Sequence, residues 1–372
     1  MRFVHIADVH FDSPFTVLSS KENFADIRRL EQREAFKKAI EYINENQIPY
    51  LFISGDLYEQ EYIRKSTIEY INNLFKTIPN TNIFISPGNH DPNLINSFYN
   101  TFNWNNNVII FNSEIQRIEM EDVDIYGYGF SNFYCNNSQI EEIEIKNKNK
   151  INILIIHGSL DASKTLDMQY NPINSNKLKE IGFDYVALGH IHKTNYIDNK
   201  NNFIYPGSLI SFGFDELGEH GMLYVELNKN NLKNNINNLE KINKINTEIK
   251  FIKLDNRNFE EILLNISGIN SEEDLIEKIN DLKLEKNKFY KIILNGIKKI
   301  EISRYKILSL MSTNNILKID DKTQMDYDID KLAQQKNLKG IFIKKMLDRL
   351  NDEKEDKDEI KRALEIGLKS FE

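Results

Sequence analysis

An α/β fold is predicted by three features of the chain. Short apolar runs alternate with segments of helical periodicity through its first third. Each of those runs ends in an acidic or amide residue, first Asp8, then Asp56, then Asn89. Beyond residue 108 short apolar runs with tight connections continue the strand pattern, and a smaller α/β region and two amphipathic helices follow.

The first run, residues 3–7, leads into Asp8-Val9-His10. In an extended chain of period two, Asp8 and His10 point the same way and can reach one ion beyond the strand. His5 lies inside the run and reads as a buried, hydrogen-bonded histidine. Residues 30–46 carry Leu30, Ala35, Phe36, Ala39, Ile40 and Ile43 at helical spacing, a crossover helix. Residues 50–54 form the next strand and run into Gly55-Asp56-Leu57-Tyr58-Glu59, which places Asp56 as Asp8 is placed. A helix over 63–76 returns the chain to a strand at 82–85, followed by Ser86-Pro87-Gly88-Asn89-His90-Asp91. In that turn Asn89 offers a neutral oxygen ligand, and His90 can give a proton or hydrogen bond to an oxygen that gathers charge.

Further strands are expected at 108–111, 115–120, 123–128 and 151–156, the last ending in His157-Gly158. A strand at 184–188 ends in Gly189-His190-Ile191-His192, where the same alternation aims His190 and His192 to one side. Strands at 202–205 and 222–227 complete this part, and the polar stretch 228–246 reads as a linker. The sequence thus divides into a main domain over 1–230, a small α/β capping domain over 247–325 and a helical segment over 326–372. Within the second part, 248–254 and 289–294 are expected as strands, 259–264 and 272–282 as helices. The last part carries helices at 338–350 and 359–368, whose apolar stripe packs on its own domain or serves a partner.

Composition narrows the function. With 372 residues, 40 % hydrophobic and 11 % aromatic, the chain folds around a substantial core. The net charge of −8 argues against coating nucleic acid by bulk electrostatics. Two basic clusters, Arg28, Arg29, Arg33, Lys37 and Lys38, and Lys286, Lys288 and Lys291, read as solvated faces or rims. No apolar run approaches the ~20 residues of a membrane span and no signal-peptide pattern opens the chain, so a cytoplasmic location is expected. One cysteine, Cys135, excludes an internal disulfide or a cysteine metal cluster, so any metal falls to His, Asp, Glu and Asn.

Such residues collect at the strand ends: Asp8, His10, Asp56, Asn89, His90, His157, His190 and His192, with five of the seven histidines among them. Without His90 these are seven nitrogen and oxygen donors, too many for one tetrahedral ion and suited to two ions sharing a carboxylate, for which Asp56 is the natural bridge. Two carboxylates against two divalent ions leave a net positive site that attracts phosphate, where an activated hydroxide attacks in line and His90 steadies or protonates the leaving oxygen. Asp12, Asp91 and Asp167 read as turn or supporting residues, and His220 as a rim or loop residue.

In full and in order, Asp8-x-His10, Gly55-Asp56, Gly88-Asn89-His90-Asp91, His157 and Gly189-His190-x-His192 resemble the calcineurin-like metallophosphoesterase superfamily. The resemblance covers roughly residues 1–230. The stretch from His5 through Asp12-Ser13-Pro14-Phe15, with Gly55-Asp56-Leu57-Tyr58 and Pro206-Gly207-Ser208, most resembles its DNA-repair branch of SbcD-type and YhaO-like nucleases. That resemblance implies a four-layer αββα sandwich, Mn²⁺ dependence and a capping domain that shapes access for DNA. It further implies a C-terminal segment for a coiled-coil SMC-type ATPase, and core-domain helices that form a homodimer in some members. By motif, one ion takes Asp8, His10, Asp56 and His192, the other Asp56, Asn89, His157 and His190.

One departure stands out. Where the most active break-repair exonucleases carry a histidine three residues after the bridging aspartate, this chain has Glu59, as phosphoprotein phosphatases of the superfamily have an acid. Glu59 is expected to hydrogen-bond His90, raise its pKa and fix its tautomer. The leading expectation is a DNA exonuclease or endonuclease. A phosphatase or phosphodiesterase for small nucleotides or phosphoproteins is the alternative that Glu59 and the acidic balance favour, and a metal-free scaffold is the third.

Overall fold

The computed structural model describes the chain except residues 16–23, 163–168, 197–201, 230–244, 301, 311–314, 326–328, 352–355 and 372. It separates into two compact units, Met1–Glu260 with Glu285–Tyr290, and Glu261–Leu284 with Lys291–Glu372.

The first unit holds two sheets. In one, β1 (Arg2–Ile6), β2 (Tyr50–Ile53), β3 (Asn82–Ile85) and β4 (Val108–Ile110) run parallel in that order. On the free side of β1, β10 (Gly221–Lys229) pairs antiparallel, and β11 (Ile245–Lys253) pairs antiparallel to β10. In the other sheet β5 (Gln116–Glu119) lies antiparallel to β6 (Val123–Gly127), which runs parallel with β7 (Ile151–His157), β8 (Tyr185–Gly189) and β9 (Phe203–Ile204).

Alternation decides what each face buries. Phe3, Phe52, Phe84 and Phe111 from the first sheet meet Ile125, Ile153, Ile155 and Ala187 from the second in one apolar cluster, so the sheets pack face to face. The residues between them, Val4, Ile6, Leu51, Ile53, Ile83 and Ile85, are also fully buried. Burial on both faces is why these strands read as unbroken apolar runs. Helices α1 (Phe24–Glu45) and α2 (Lys65–Lys76) bury Phe36, Ala39, Ile40, Ile71 and Phe75 beside the first sheet. Leu178 of the short helix Ser175–Ile181, together with Ile140, covers Leu154, Ile156, Val186 and Leu188 on the second. The result is the four-layer αββα sandwich.

Two sequence-based expectations need correction. β11 falls in the stretch read as the start of a capping domain, yet its nine residues pair with β10 from Lys253 against Gly221 to Ile245 against Lys229. The first sheet therefore continues past residue 230, because β10 offers a free edge that only another strand can satisfy. The helix expected at 259–264 is a strand, β12 (Asn258–Asn265). Most of the linker expected at 228–246 lies outside the described residues.

The second unit carries a three-stranded sheet in the order β12, β13 (Lys288–Asn295) and the strand Ile316–Asp321, with a helix over Glu272–Asn280 capped by the Ser271 side chain. The last two helices, Leu338–Leu350 and Lys357–Lys369, join Ile343, Met346, Ile360, Leu364 and Leu368 in a small core of their own. No helix of the described residues is long and apolar enough to cross a membrane.

Candidate metal centre

Because β1, β2 and β3 are parallel, the residues that follow them emerge at one edge, and the ends of β7 and β8 emerge at the matching edge of the other sheet. The loops after β1 and β2 are zipped together by backbone bonds, Asp8 N–H to the Gly55 carbonyl (3.1 Å) and His10 N–H to the Asp56 carbonyl (2.8 Å). Where the sheet ends meet there is no space for a side chain. A Cβ on Gly55 would stand 2.3 Å from His157 Nδ1, and one on Gly189 would stand 1.8 Å from the Ser54 carbonyl oxygen.

The expected donors converge, although not for the reason the sequence suggests. Asp8, His10 and Asp56 all adopt left-handed backbone, with φ of 51°, 52° and 52°, and His190 has φ of 108°. A sharp turn, rather than extended alternation, aims them inward, and non-glycine residues held so at three donors mark a site that the surrounding structure forces. His10 Nε2 lies 3.1 Å from His192 Nε2 and 3.7 Å from Asp56 Oδ2. His192 Nε2 lies 3.8 Å from Asp8 Oδ1. On the other side His157 Nε2 is 3.2 Å from Asp56 Oδ2 and 3.0 Å from Asn89 Oδ1. Asp8, His10 and His192 form one group with ligand atoms within 4.8 Å of one another, Asp8, Asp56 and His157 a second, and His10, Asp56 and His90 a third. His190 stands outside these groups; its ring lies 5.3 Å from that of His157, and its backbone N–H donates to Asp8 (3.0 Å).

The chemistry of this donor set fits bound cations. His157 Nδ1–H donates to the Ser54 carbonyl (2.8 Å), so its Nε2 turns a lone pair toward the carboxylate of Asp56 and the amide oxygen of Asn89. His10 gives its Nδ1–H to Glu59 (2.8 Å) and His192 gives its own to Glu216 (2.5 Å), leaving two Nε2 lone pairs facing each other. Acceptors this close repel unless positive charge lies between them. The same field acts on protons: burial lowers His192 and His157, but Glu216 and Asp56 respectively override it and hold each up to about 9. For His90, burial is likewise overcome, by Glu59 and Asp56, and its pKa rises to about 9.

Glu59 is the hub of the outer ring. One oxygen accepts from His10 Nδ1 and the other from His90 Nδ1, each at 2.8 Å. Against the burial that would raise it, these bonds hold Glu59 down at about 2. Asp91 is a brace: its oxygens accept from the backbone N–H of Asp56, Leu57 and Gly88 and from the Tyr99 hydroxyl. Asp12 accepts from Arg64 N–H, Thr67 and Arg33 and stays clear of the donors. Asp167 lies outside the described residues. His5 is fully buried between Tyr185 and Ser54.

Sequence reasoning misses Glu216 and Phe212. Glu216 holds His192 and is itself bonded by Phe212 N–H (2.9 Å), while the Phe212 ring lies 5.3 Å from His10 and 5.6 Å from His192. His220 fastens the same loop, through Ser208 Oγ and the Glu216 carbonyl, each at 2.9 Å. Nothing local marks these residues, which come to the site only through the fold.

Residues 1–194, over half of the chain, match the calcineurin-like phosphoesterase family. The chain belongs to that family. Among relatives of this phosphoesterase, the SbcD component of the SbcCD nuclease of Staphylococcus epidermidis is 28 % identical over 270 residues, 63 % of this chain and 68 % of that protein. The corresponding component in Staphylococcus saprophyticus is 24 % identical over 249 residues, 58 % of this chain and 62 % of that one. The uncharacterized metallophosphoesterase YhaO of Bacillus subtilis is 24 % identical over 246 residues, 61 % of this chain. This phosphoesterase spans 57 % of the YhaO relative's length. Family membership makes it a metal-dependent phosphoester hydrolase with an α/β sandwich.

Proposed function

We propose that this phosphoesterase is a DNA nuclease. In this reading Asp8, His10, Asp56 and His192 hold one divalent ion, and Asp56, Asn89, His157 and His190 the other. The observation that carries the metal reading is the opposed lone pairs of His10, His192 and His157, which call for cations between them. When bound, such ions supply Lewis acidity that activates water and neutralises phosphate charge. The protein's own groups do the rest. Asp56 pins the His90 backbone N–H through Oδ1 (2.8 Å), and Glu59 occupies His90 Nδ1, so the proton left for a leaving oxygen is the one on Nε2. Mn²⁺ accepts this mixed imidazole, carboxylate and amide set. The SbcCD nuclease relatives support DNA as substrate, a role in repair and a coiled-coil SMC-type ATPase as partner. The two C-terminal helices are the segment proposed to meet that partner.

Metal-stripped protein resupplied with Mn²⁺ is expected to degrade end-labelled DNA, and His90→Asn to lower that rate by roughly 10²- to 10⁴-fold. A chromogenic phosphodiester run alongside separates the alternatives. Turnover of the ester with DNA untouched, even after the ATPase is added, would select the small-nucleotide reading that Glu59 favours. Glu59→Gln is expected to cost roughly 10- to 100-fold in turnover and to weaken Mn²⁺ binding, because both His10 and His90 lose their orienting acceptor. Unchanged kinetics with unchanged metal titration would remove Glu59 from the site.

A further inference from the structure

We propose that the mouth of the metal centre is a stacking site for an unpaired nucleobase, so that nucleic acid enters as a single strand or a frayed end; this rests on the nuclease reading. A cavity of 410 Å³ opens beside Asn89 and His90, walled by Tyr62, Phe133, Tyr134, Tyr170, Glu59 and Glu61. Tyr62 and Tyr134 are 52 % and 58 % exposed, so two large rings stand in solvent where a buried core needs neither. The rings form a continuous wall: Tyr170 lies 5.0 Å from the His190 ring and Tyr134 lies 6.1 Å from Tyr170.

Charge decides which part of a nucleotide belongs there. Among the described residues the cavity lining holds two acids and no Lys or Arg, and Glu59 is ionised between its two histidines, so a second phosphate is repelled. A base is neutral and offers a π-face, and base-on-aromatic stacking tolerates any sequence. The neighbouring cavity, 470 Å³, shares Pro14 and Tyr62 with the first and carries Arg29, Arg33 and Arg64. Its two acids are engaged, Asp12 by Arg33 (3.2 Å) and the Arg64 N–H (3.0 Å), and Asp26 by Arg29 (2.5 Å), which leaves three guanidinium groups against two carboxylates. The geometry assigns the scissile phosphate to the metal donors, the adjoining base to the aromatic wall and the next phosphate to the arginines. A base inside a duplex keeps its faces stacked on its neighbours and cannot use this wall until it leaves the stack.

The test uses the full chain carrying His90→Asn and loaded with Mn²⁺, mixed with single-stranded oligonucleotides bearing 2-aminopurine at one end or the other and fluorescein at the far end. Binding, read by fluorescein anisotropy, is expected to quench 2-aminopurine at one end. Tyr134→Ala in that background should abolish the quench and weaken binding about tenfold, the equivalent of one stacked base. Tyr134→Phe should restore both, since it keeps the ring. Binding and wild-type cleavage of the same strand with no quench at either end, or a quench indifferent to Tyr134→Ala, would overturn the stacking site alone. Neither binding nor cleavage would overturn the nuclease reading, and the stacking site with it.

Discussion

Replacing Asp56 by Asn should extinguish turnover of every phosphoester and drop the bound Mn²⁺ from two ions per chain to one or none. Asp56 Oδ2 is the oxygen nearest both His157 Nε2 (3.2 Å) and His10 Nε2 (3.7 Å), so it belongs to both donor groups at once. An amide there removes a full negative charge from a site that is 1 % exposed, and its NH₂ or neutral oxygen cannot serve two cations. The loss should therefore exceed the roughly 100-fold that removal of an outer supporting partner costs. Metal analysis of the purified variant, alongside steady-state rates on the chromogenic ester, measures both effects. Two ions retained with rates within tenfold of the parent would dismiss Asp56 as the shared ligand.

Asp255→Ala is expected to be the most destabilising single change outside the core, by about 3–5 kcal/mol in urea unfolding. Asp255 and Arg28 are both essentially buried and meet through two hydrogen bonds (2.8 and 2.5 Å); removing the acid strands a guanidinium without water. The pair also reaches the metal centre. Arg28 donates to the Ser211 carbonyl and Asp255 accepts the Ser211 N–H. Ser211 precedes Phe212, whose N–H fixes the Glu216 carboxylate that holds His192. Weaker Mn²⁺ binding should accompany the loss of stability. The double change Arg28→Met with Asp255→Leu should recover much of the stability, because an apolar pair of similar size costs less than a lone buried charge. Stability equal to the parent in Asp255→Ala would contradict this account.

How much of this is legible in the sequence follows from how local each signal is. The strands β1, β2, β3, β7 and β8 are readable because burial on both faces writes them as apolar runs, and the donors are readable because they come directly after those runs. The direction in which Asp8 and His10 point is not, since a left-handed turn does not announce itself at an aspartate or histidine. The run around Phe259 reads as a helix and folds as a strand because so short an apolar stretch satisfies either period. Arg28 sits in a basic cluster that reads as a solvated helix face. Only the partner 227 residues away explains its burial, and that pairing belongs to tertiary structure alone. In the same cluster Lys37 and Lys38 do pair with Glu41 and Glu34 at the surface, as the charge pattern implies.

The crowding at Gly55 and Gly189 bears on how enzymes of this architecture can diverge. With no room for a single methyl group where the two sheet ends meet, the inorganic part of the site is built as one rigid block spanning two halves of a sandwich. Such a block cannot widen to admit a bulkier substrate or tilt to prefer another one. Selectivity must then be written in the loops that surround it, such as those bearing Tyr62 and Tyr134, which can change length and composition without touching the reaction. The chemistry stays conservative and the clientele variable, and both follow from two positions at which nothing larger than hydrogen fits.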